Sequence, residues 1–373
     1  MSDYAVELLA ELGKRAAVRV FRPPNWRPSE DWSLDGIVEM VDASTEAERD
    51  EITLIHIGNN PHHLWLLSRL GGPRTVVVLH DLVLHHLLVE ATVGVGDGAS
   101  YERRLSSSYG GAGRALAEAR TLGLSGVQDP FLYPARASFL DSVEGVVVHS
   151  SWAEAIIRSE FPGLSVARVP LSVLDPGRVE REIQRAKFGI SDNEVMLMHL
   201  GFLTPGKGLG GILGGLGAAV TAGVPARLVM VGEESGGQRV AAAAEAVGLA
   251  DHIVSTGWID AETLPLVPAA ADLGVVLRTP SAGETSAAAL RFLACGTPVA
   301  VGGLRQFLEW PEAAAPRITP GPPASADLAR LLAQAAAGGK AWSERRLAAR
   351  ATYEARHRPG DAADQLLSFL KTV

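Results

Sequence analysis

Hydrophobic positions along this chain gather into short unbroken runs, and few of them alternate with polar ones. In the first half the runs are AVRVF (17–21), ITLIHIG (52–58), TVVVLH (75–80), GVVVHS (145–150) and VARVP (166–170). The second half continues with VMLMHLG (195–201), RLVMVG (227–232), HIVSTG (252–257), LGVVLR (273–278) and TPVAVGG (297–303). A strand that is apolar at successive residues buries both faces, which happens in parallel sheets covered by helices. Helical patterns separate the runs, so the chain predicts an α/β protein with two doubly wound, Rossmann-like domains.

The polar stretch PLSVLDPGRVEREIQRAKFGISDNE (170–194) carries two prolines and separates the two series. It sets the expected boundary: one domain over 1–170, a second over 171–350, and a final helix over 351–373 returning toward the first domain. Residues 91–140 are less regular. There YERRLSSSYGGAGRALAEARTLG reads as helix with a Gly-rich break, expected to form a mobile flap beside a cleft. The opening MSDYAVELLAELGKR reads as an amphipathic helix capped by Ser2 or Asp3, and not as a signal peptide.

Composition narrows the class. Hydrophobic residues are 47% and charged residues 20%, which suits large cores, and no repeat of solenoid length appears. The net charge is −8 with no basic tract, which argues against a nucleic-acid partner. Residues 1–170 hold 15 Lys+Arg against 22 Asp+Glu, and the remainder 19 against 20, so the first half is a poor match for anionic lipid. Cys295 is the single cysteine, which excludes an internal disulfide, fits a reducing cytoplasm and points to a packing role. No run approaches the ~18 apolar residues of a membrane span.

The stretch HLGFLTPGKGLGG (199–211) has the Gly201, Gly206, Lys207 spacing of a nucleotide-binding phosphate loop. Yet Gly208 stands where that loop needs a metal-binding hydroxyl, and Pro205 removes a backbone donor. A Walker-type NTPase is therefore rejected. Either Lys207 is a surface lysine or it works with a second segment. LGVVLRTPSAGETSAAALRFLACGTPVAV (273–301) supplies one: a buried strand ending in Arg278, then a turn, then a helix beginning near Glu284, Thr285 and Ser286. Two cations at strand ends and a helix amino end make a diphosphate clamp that needs no metal.

In order and spacing, GFLTPGKGL, LVMVGEE, STGWIDAETLPLVPAAADLGVVLR and GETSAAALRFLACGTPVAV, preceded by HIGNNPHHLWLL, VVVLHDLVLHHLL and GVVVHSSWAEAII, resemble the retaining glycosyltransferases of family four, in their "GETS" branch. The resemblance spans nearly the whole chain. It implies the GT-B fold, two Rossmann-like domains facing a cleft. The first domain would take a carbohydrate, lipid-linked or small-molecule acceptor. The second would take a UDP-, GDP- or other nucleoside diphosphate sugar, with no metal or other cofactor. On that pattern Lys207, with Gly201 behind it, contacts the diphosphate, helped by the backbone at Glu284, Thr285 and Ser286. Arg278 serves as second cation, because Phe202 occupies the place of the usual arginine. Trp258 and Ile259 match the segment facing the nucleobase, with the loop after Gly232 close by.

His80 matches the histidine near the reacting sugar, with Asp81 orienting it or touching the acceptor. Taken alone, His80 reads more readily as a satisfied strand-end residue, and the resemblance reverses that. Asn59, Asn60, His62 and His63 line the acceptor pocket, or form a polar turn in which one asparagine caps a helix. The adjacent His85 and His86 diverge by ~100° on a helix and do not share an ion, so no metal site is expected. His149 reads as a strand-end residue, with Ser150 or Ser151 capping the next helix.

The chain departs from the family pattern twice. Arg291 stands where the family's second glutamate grips the donor ribose, and an arginine accepts no hydroxyl hydrogens. It pairs with an acid, reaches the phosphates, or lies on a solvated face. The resemblance also implies a first strand and glycine turn before Asp3 and Tyr4, which this sequence does not include; a start placed too late or a lost element is the expectation. The overall expectation is a metal-independent retaining hexosyltransferase. The alternative is a sugar-nucleotide-binding or partner protein of the same fold with little catalysis.

Overall fold

The computed structural model describes residues 3–23, 34–235 and 239–373. Ser2, one of the two expected caps, lies outside them. The chain divides into two compact units. The first comprises residues 9–170, 282–285 and 363–373, and the second comprises 1–8, 171–281 and 286–362.

The first unit opens with a parallel pair, β1 (Arg19–Arg22) and β2 (Glu39–Asp42). Its main sheet has four parallel strands in the order β3 (Thr53–Ile57), β4 (Thr75–Leu79), β5 (Gly145–Val148) and β6 (Ser165–Arg168). Every residue of β4 and β5 is buried, as unbroken apolar runs require when helices cover both faces. On one face Ile55, Ile57, Val77, Leu79, Val146 and Val148 pack with Leu87, Leu88, Leu105, Phe139 and Ile157 from the helical segments. The expected Gly-rich break is present in the helix Gly98–Thr121. Gly110 leaves helical geometry (φ 59°, ψ −135°), and the chain folds back so that Gly113 lies against the Leu105 carbonyl. An ion pair between Glu102 and Arg114 at 3.7 Å joins the two halves.

The second unit carries six parallel strands: β7 (Val195–Leu200), β8 (Ala226–Val231), β9 (Ile253–Gly257), β10 (Leu273–Val276), β11 (Val299–Gly302) and β12 (Arg317–Ile318). Their spatial order is β12-β11-β10-β7-β8-β9. The chain therefore leaves β7 in one direction, then returns to its other side. That reversal between β7 and β10 is a topological switch point, where loops at the carboxyl ends of the strands part to leave a crevice. Leu197, Leu228, Leu273 and Val275 form the core beneath it with Ile212, Leu216, Leu328 and Leu332 from the covering helices.

All ten predicted runs overlap an observed strand, and β2 and β12 add to them. The fold is α/β with a parallel sheet in each unit; the second is doubly wound, reversing between β7 and β10, whereas the main sheet of the first unit runs in sequence order. Among the described residues no helix is long and apolar enough to cross a membrane.

Candidate functional site

The loops that leave β7 and β10 meet at the switch point. Pro205–Lys207 forms one 3-10 turn, closed by the Lys207 N–H donating to the Thr204 carbonyl at 2.9 Å. The Thr279 N–H donates to the Gly206 carbonyl at 2.9 Å, tying the lysine loop to the residue after Arg278. The two cations thus stem from loops bonded to each other. His199, near the end of β7, reports their field. It is buried (1% exposed), and burial first, then Lys207, then Arg278, pushes its pKa down to about 4. A neutral imidazole adds no charge of its own beneath the two half-buried cations.

Beside the lysine loop, on the β8 side, lies a cavity of about 410 Å³. Its walls come from the ends of three strands: Gly201 and Leu203 after β7, Gly232, Glu233 and Glu234 after β8, and Ser255 and Gly257 of β9. Gly232 is obligatory there. Its φ is 125°, and a Cβ would stand 2.5 Å from the Gly201 carbonyl oxygen. Of the expected donor residues, Gly201 and Gly232 line this cavity, and Trp258 and Ile259 directly follow its Gly257. Glu233 and Glu234 belong to the loop after Gly232 that the resemblance places near the nucleobase, but their carboxylates were not singled out. Their only sequence signal is a carboxylate pair directly after a strand-end glycine.

The segment Ala282–Thr285 packs with the first unit. The Ala282 carbonyl accepts from the N–H groups of Leu82 (2.6 Å) and Val83 (3.3 Å), in the loop after His80 and Asp81. Glu284 is buried at 9% exposure. Ser286 belongs to the second unit and caps the helix Ala287–Ala294, its hydroxyl accepting from the Ala289 N–H at 3.2 Å.

Arg291 is not on a solvated face. It is 5% exposed, and its guanidinium meets the Glu7 carboxylate at 3.0 Å. Glu7 also accepts from the Leu174 N–H at 2.6 Å. All three residues belong to the second unit. Of the three readings for Arg291, the acidic partner is observed, across 284 positions of sequence.

In the first unit the histidines form a line. His56 Nδ1 is 3.1 Å from His80 Nε2, His80 Nδ1 is 3.1 Å from His149 Nε2, and His149 Nδ1 is 2.9 Å from the Val169 carbonyl oxygen. A carbonyl only accepts, so His149 carries its hydrogen on Nδ1. Its Nε2 then accepts from His80, and His80 Nε2 accepts from His56. Burial, reinforced by the neighbouring histidines, lowers His56 to about 3 and His80 well below its ordinary value, so both rings are neutral. Both ring nitrogens of His80 are thereby engaged. A row of rings does not surround a point, and among the described residues no group of three His, Cys, Asp or Glu is placed to hold a metal ion. His56 escaped the sequence reading. The available signal was a histidine at the carboxyl end of each of three adjacent strands.

The remaining acceptor candidates cluster at the end of β3. The Asn59 N–H donates to Asp81 at 2.7 Å, and the Asn59 side chain accepts from the Leu87 N–H at 3.1 Å. Asn60 caps the 3-10 helix Pro61–Arg69 through the His62 N–H at 2.8 Å, so the capping alternative holds for it. The His63 ring bonds the Gly58 backbone, and His62 is exposed.

No family model matches the chain. Over 80 residues it is 45% identical to 2-deoxystreptamine N-acetyl-D-glucosaminyltransferase of Streptomyces fradiae, a match covering 20% of this chain and 18% of that enzyme. Over 144 residues it is 33% identical to D-inositol 3-phosphate glycosyltransferase of Segniliparus rotundus, covering 36% of this chain and 31% of that enzyme. The chain thus spans less than a third of the length of either relative. Among solved structures it is similar to Anabaena HepE in complex with UDP, with a TM-score of 0.65, 16% identity, and coverage of 100% and 97% of the two chains. Sucrose-phosphate synthase of Thermosynechococcus elongatus gives a TM-score of 0.64 at 18% identity, covering 99% and 92%. At these identities the likeness establishes the fold, and the fold of this chain is GT-B.

Proposed function

We propose that the protein is a retaining glycosyltransferase that moves a hexosyl group from a UDP-, GDP- or similar nucleoside diphosphate sugar to an acceptor hydroxyl, without a metal ion. The observation that carries this reading is the bonded pair of loops at the switch point, which presents Lys207 and Arg278 beside a nucleoside-sized cavity. The partial sequence likeness to two glycosyltransferases and the fold likeness to a UDP-bound one support it.

In this mechanism the acceptor oxygen bonds to the anomeric carbon on the face from which the diphosphate departs. The bond from that carbon to the phosphate oxygen breaks, and the acceptor proton passes to the phosphate. Charge grows on the leaving diphosphate, where Lys207 and Arg278 meet it, each well-placed cation or N–H contributing a few kcal/mol. The backbone at Glu284, Thr285 and Ser286 would add donors. No strong base is required, which suits a His80 whose nitrogens are already engaged; it would shape the sugar subsite, with Asp81, Asn59, Asn60, His62 and His63 on the acceptor side.

Calorimetry with UDP and GDP in the presence of a chelator is the first test, followed by product analysis for the configuration at the anomeric carbon. Binding and turnover that both survive Lys207→Ala would overturn the assignment. A second reading, binding with little turnover, is favoured by Arg291: its pairing with Glu7 leaves no carboxylate at a position where the resembling enzymes hold the donor ribose. Donor binding without release of sugar or product in any acceptor mixture would select it.

A further inference from the structure

We infer that Arg136 is a positioning residue for the diphosphate segment: it fixes the peptide between Leu82 and Val83, and that peptide holds Ala282–Thr285 in place. The inference rests on the nucleotide-sugar reading and adds a residue outside the groups assigned to donor and acceptor. All the residues concerned belong to the first unit. The Arg136 side chain is 11% exposed. Its Nε donates to Glu160 Oε2 at 2.6 Å and its Nη2 to Glu160 Oε1, a two-pronged pairing that sets the plane of the guanidinium. Nη1 is thereby aimed, and it donates to the Leu82 carbonyl at 2.6 Å. The planar peptide carries that aim onward: with the Leu82 oxygen fixed, the Val83 N–H points the opposite way. There it meets the Ala282 carbonyl at 3.3 Å, which the Leu82 N–H also reaches, at 2.6 Å.

The surroundings hold Arg136 to this task. Ala135, fully buried, has a φ of 60°, a left-handed geometry disfavoured for a residue with a Cβ. Its N–H donates to the Tyr109 hydroxyl at 2.7 Å. The Pro134 carbonyl accepts from the Leu84 N–H at 2.8 Å, and the Tyr133 carbonyl accepts from His85 Nδ1 at 2.6 Å. With the Arg136 bond, residues 133–136 are laced to residues 82–85 at three points. Glu160 ends the helix Ser151–Glu160, where the macrodipole disfavours an acid, so its place there depends on Arg136. On the far side, Gly283 presses on Leu82, and a Cβ there would stand 2.8 Å from Leu82 Cδ1. Water alone can satisfy a loop carbonyl, but it does not fix its direction. Direction matters here because Glu284 and Thr285 follow within three residues of Ala282. Their backbone donors would meet the diphosphate, and such donors stabilise the leaving charge only when aimed before it develops.

The test is calorimetry of UDP, GDP and inorganic pyrophosphate on the full chain, in the unsubstituted protein and in Arg136→Ala, Arg136→Lys, Glu160→Ala and Lys207→Ala, with amide hydrogen exchange read alongside. Arg136→Ala should weaken the bound nucleotide and pyrophosphate by about tenfold, the scale of one charge-assisted hydrogen bond. Arg136→Lys should weaken them as much, because lysine keeps the charge and loses the fork. Glu160→Ala should weaken them too, since it leaves Arg136 charged but unaimed. An arginine acting through its field alone gives the reverse: Arg136→Lys is harmless, and Glu160→Ala, by removing a negative charge, tightens binding. That pattern overturns the positioning. Exchange should quicken at the Leu82 and Val83 N–H groups in Arg136→Ala and Glu160→Ala, and little elsewhere in the first unit. Quickening throughout the unit would make Arg136 a residue of general stability and likewise overturn the inference. Unchanged affinity in both Arg136 variants, with the Lys207→Ala loss intact, overturns it and leaves the functional reading standing. Failure of the unsubstituted protein to bind either nucleotide or pyrophosphate overturns both. Glu160 is 40% exposed, so Glu160→Ala should melt with the unsubstituted protein and decides the matter even where Arg136→Ala does not fold.

Discussion

Arg291→Glu would install the glutamate of the enzymes this chain resembles, but the Glu7 pairing makes destabilisation the expected outcome. The new carboxylate would sit against the one it replaced a partner for. The two side chains are 6% and 10% exposed and 3.0 Å apart, so solvent screens them little. Removing one partner of such a pair strands a buried charge and costs about 3–5 kcal/mol. Arg291→Ala and Glu7→Ala should each fall in that range, and Arg291→Glu should be worse, because like charges replace opposite ones. In a unit of roughly 200 residues, about 2–4 °C is lost per kcal/mol, so the melting transition should drop by on the order of 10 °C. The pair Lys14–Glu11 is an internal control. Its 2.6 Å separation is shorter, but it is 60% and 24% exposed, so Lys14→Ala should cost no more than about 1 kcal/mol. Differential scanning calorimetry of the singles and of Glu7→Leu/Arg291→Met completes the cycle. The apolar double variant should melt near the unsubstituted protein, since two well-packed apolar side chains replace a buried ion pair at little net cost. Single variants within about 2 °C of the unsubstituted protein, or a double variant as unstable as the summed singles, would refute the argument.

Three further outcomes are expected. Stability should fall as pH drops below about 6.5. His56, His199 and His357 have folded pKa values of about 3, 4 and 4, depressed chiefly by burial, so the unfolded chain binds protons first; each should cost on the order of 1 kcal/mol between pH 7.5 and 5.5, read by denaturant titration at the two values. A pH-independent midpoint over that window would contradict neutral burial. Gly232→Ala should abolish nucleotide binding with a smaller effect on pyrophosphate, because its Cβ would collide with backbone and no rotamer relieves it; calorimetry decides. Cys295 is half-buried, and its thiol, pushed up to about 12 by burial, donates to the Pro265 carbonyl at 3.3 Å, so it should react with an aromatic disulfide reagent much more slowly in the folded protein than after unfolding.

The strands were legible because burial on both faces leaves an unbroken apolar trace, as in β4 and β7. β2 and β12 left none: β2 has half-exposed and exposed residues, and β12 is two residues long and paired only to β11. The lysine loop and Arg278 were singled out from strand ends and charge, and the structure bonds their loops through Gly206 and Thr279 at the switch point. Pairings over long sequence separations were not readable. Nothing local to Arg291 points to Glu7, and nothing local to His80 says that His56 and His149 take up its two nitrogens. These depend on strand order and register, which periodicity does not encode.

The histidine row has a direction imposed from one end. The Val169 oxygen takes a hydrogen but has no second site to which it can hand a proton onward, so an extra proton entering at His56 can travel only as far as His149 and must leave by the way it came. The row is a blind alley for charge and not a conduit.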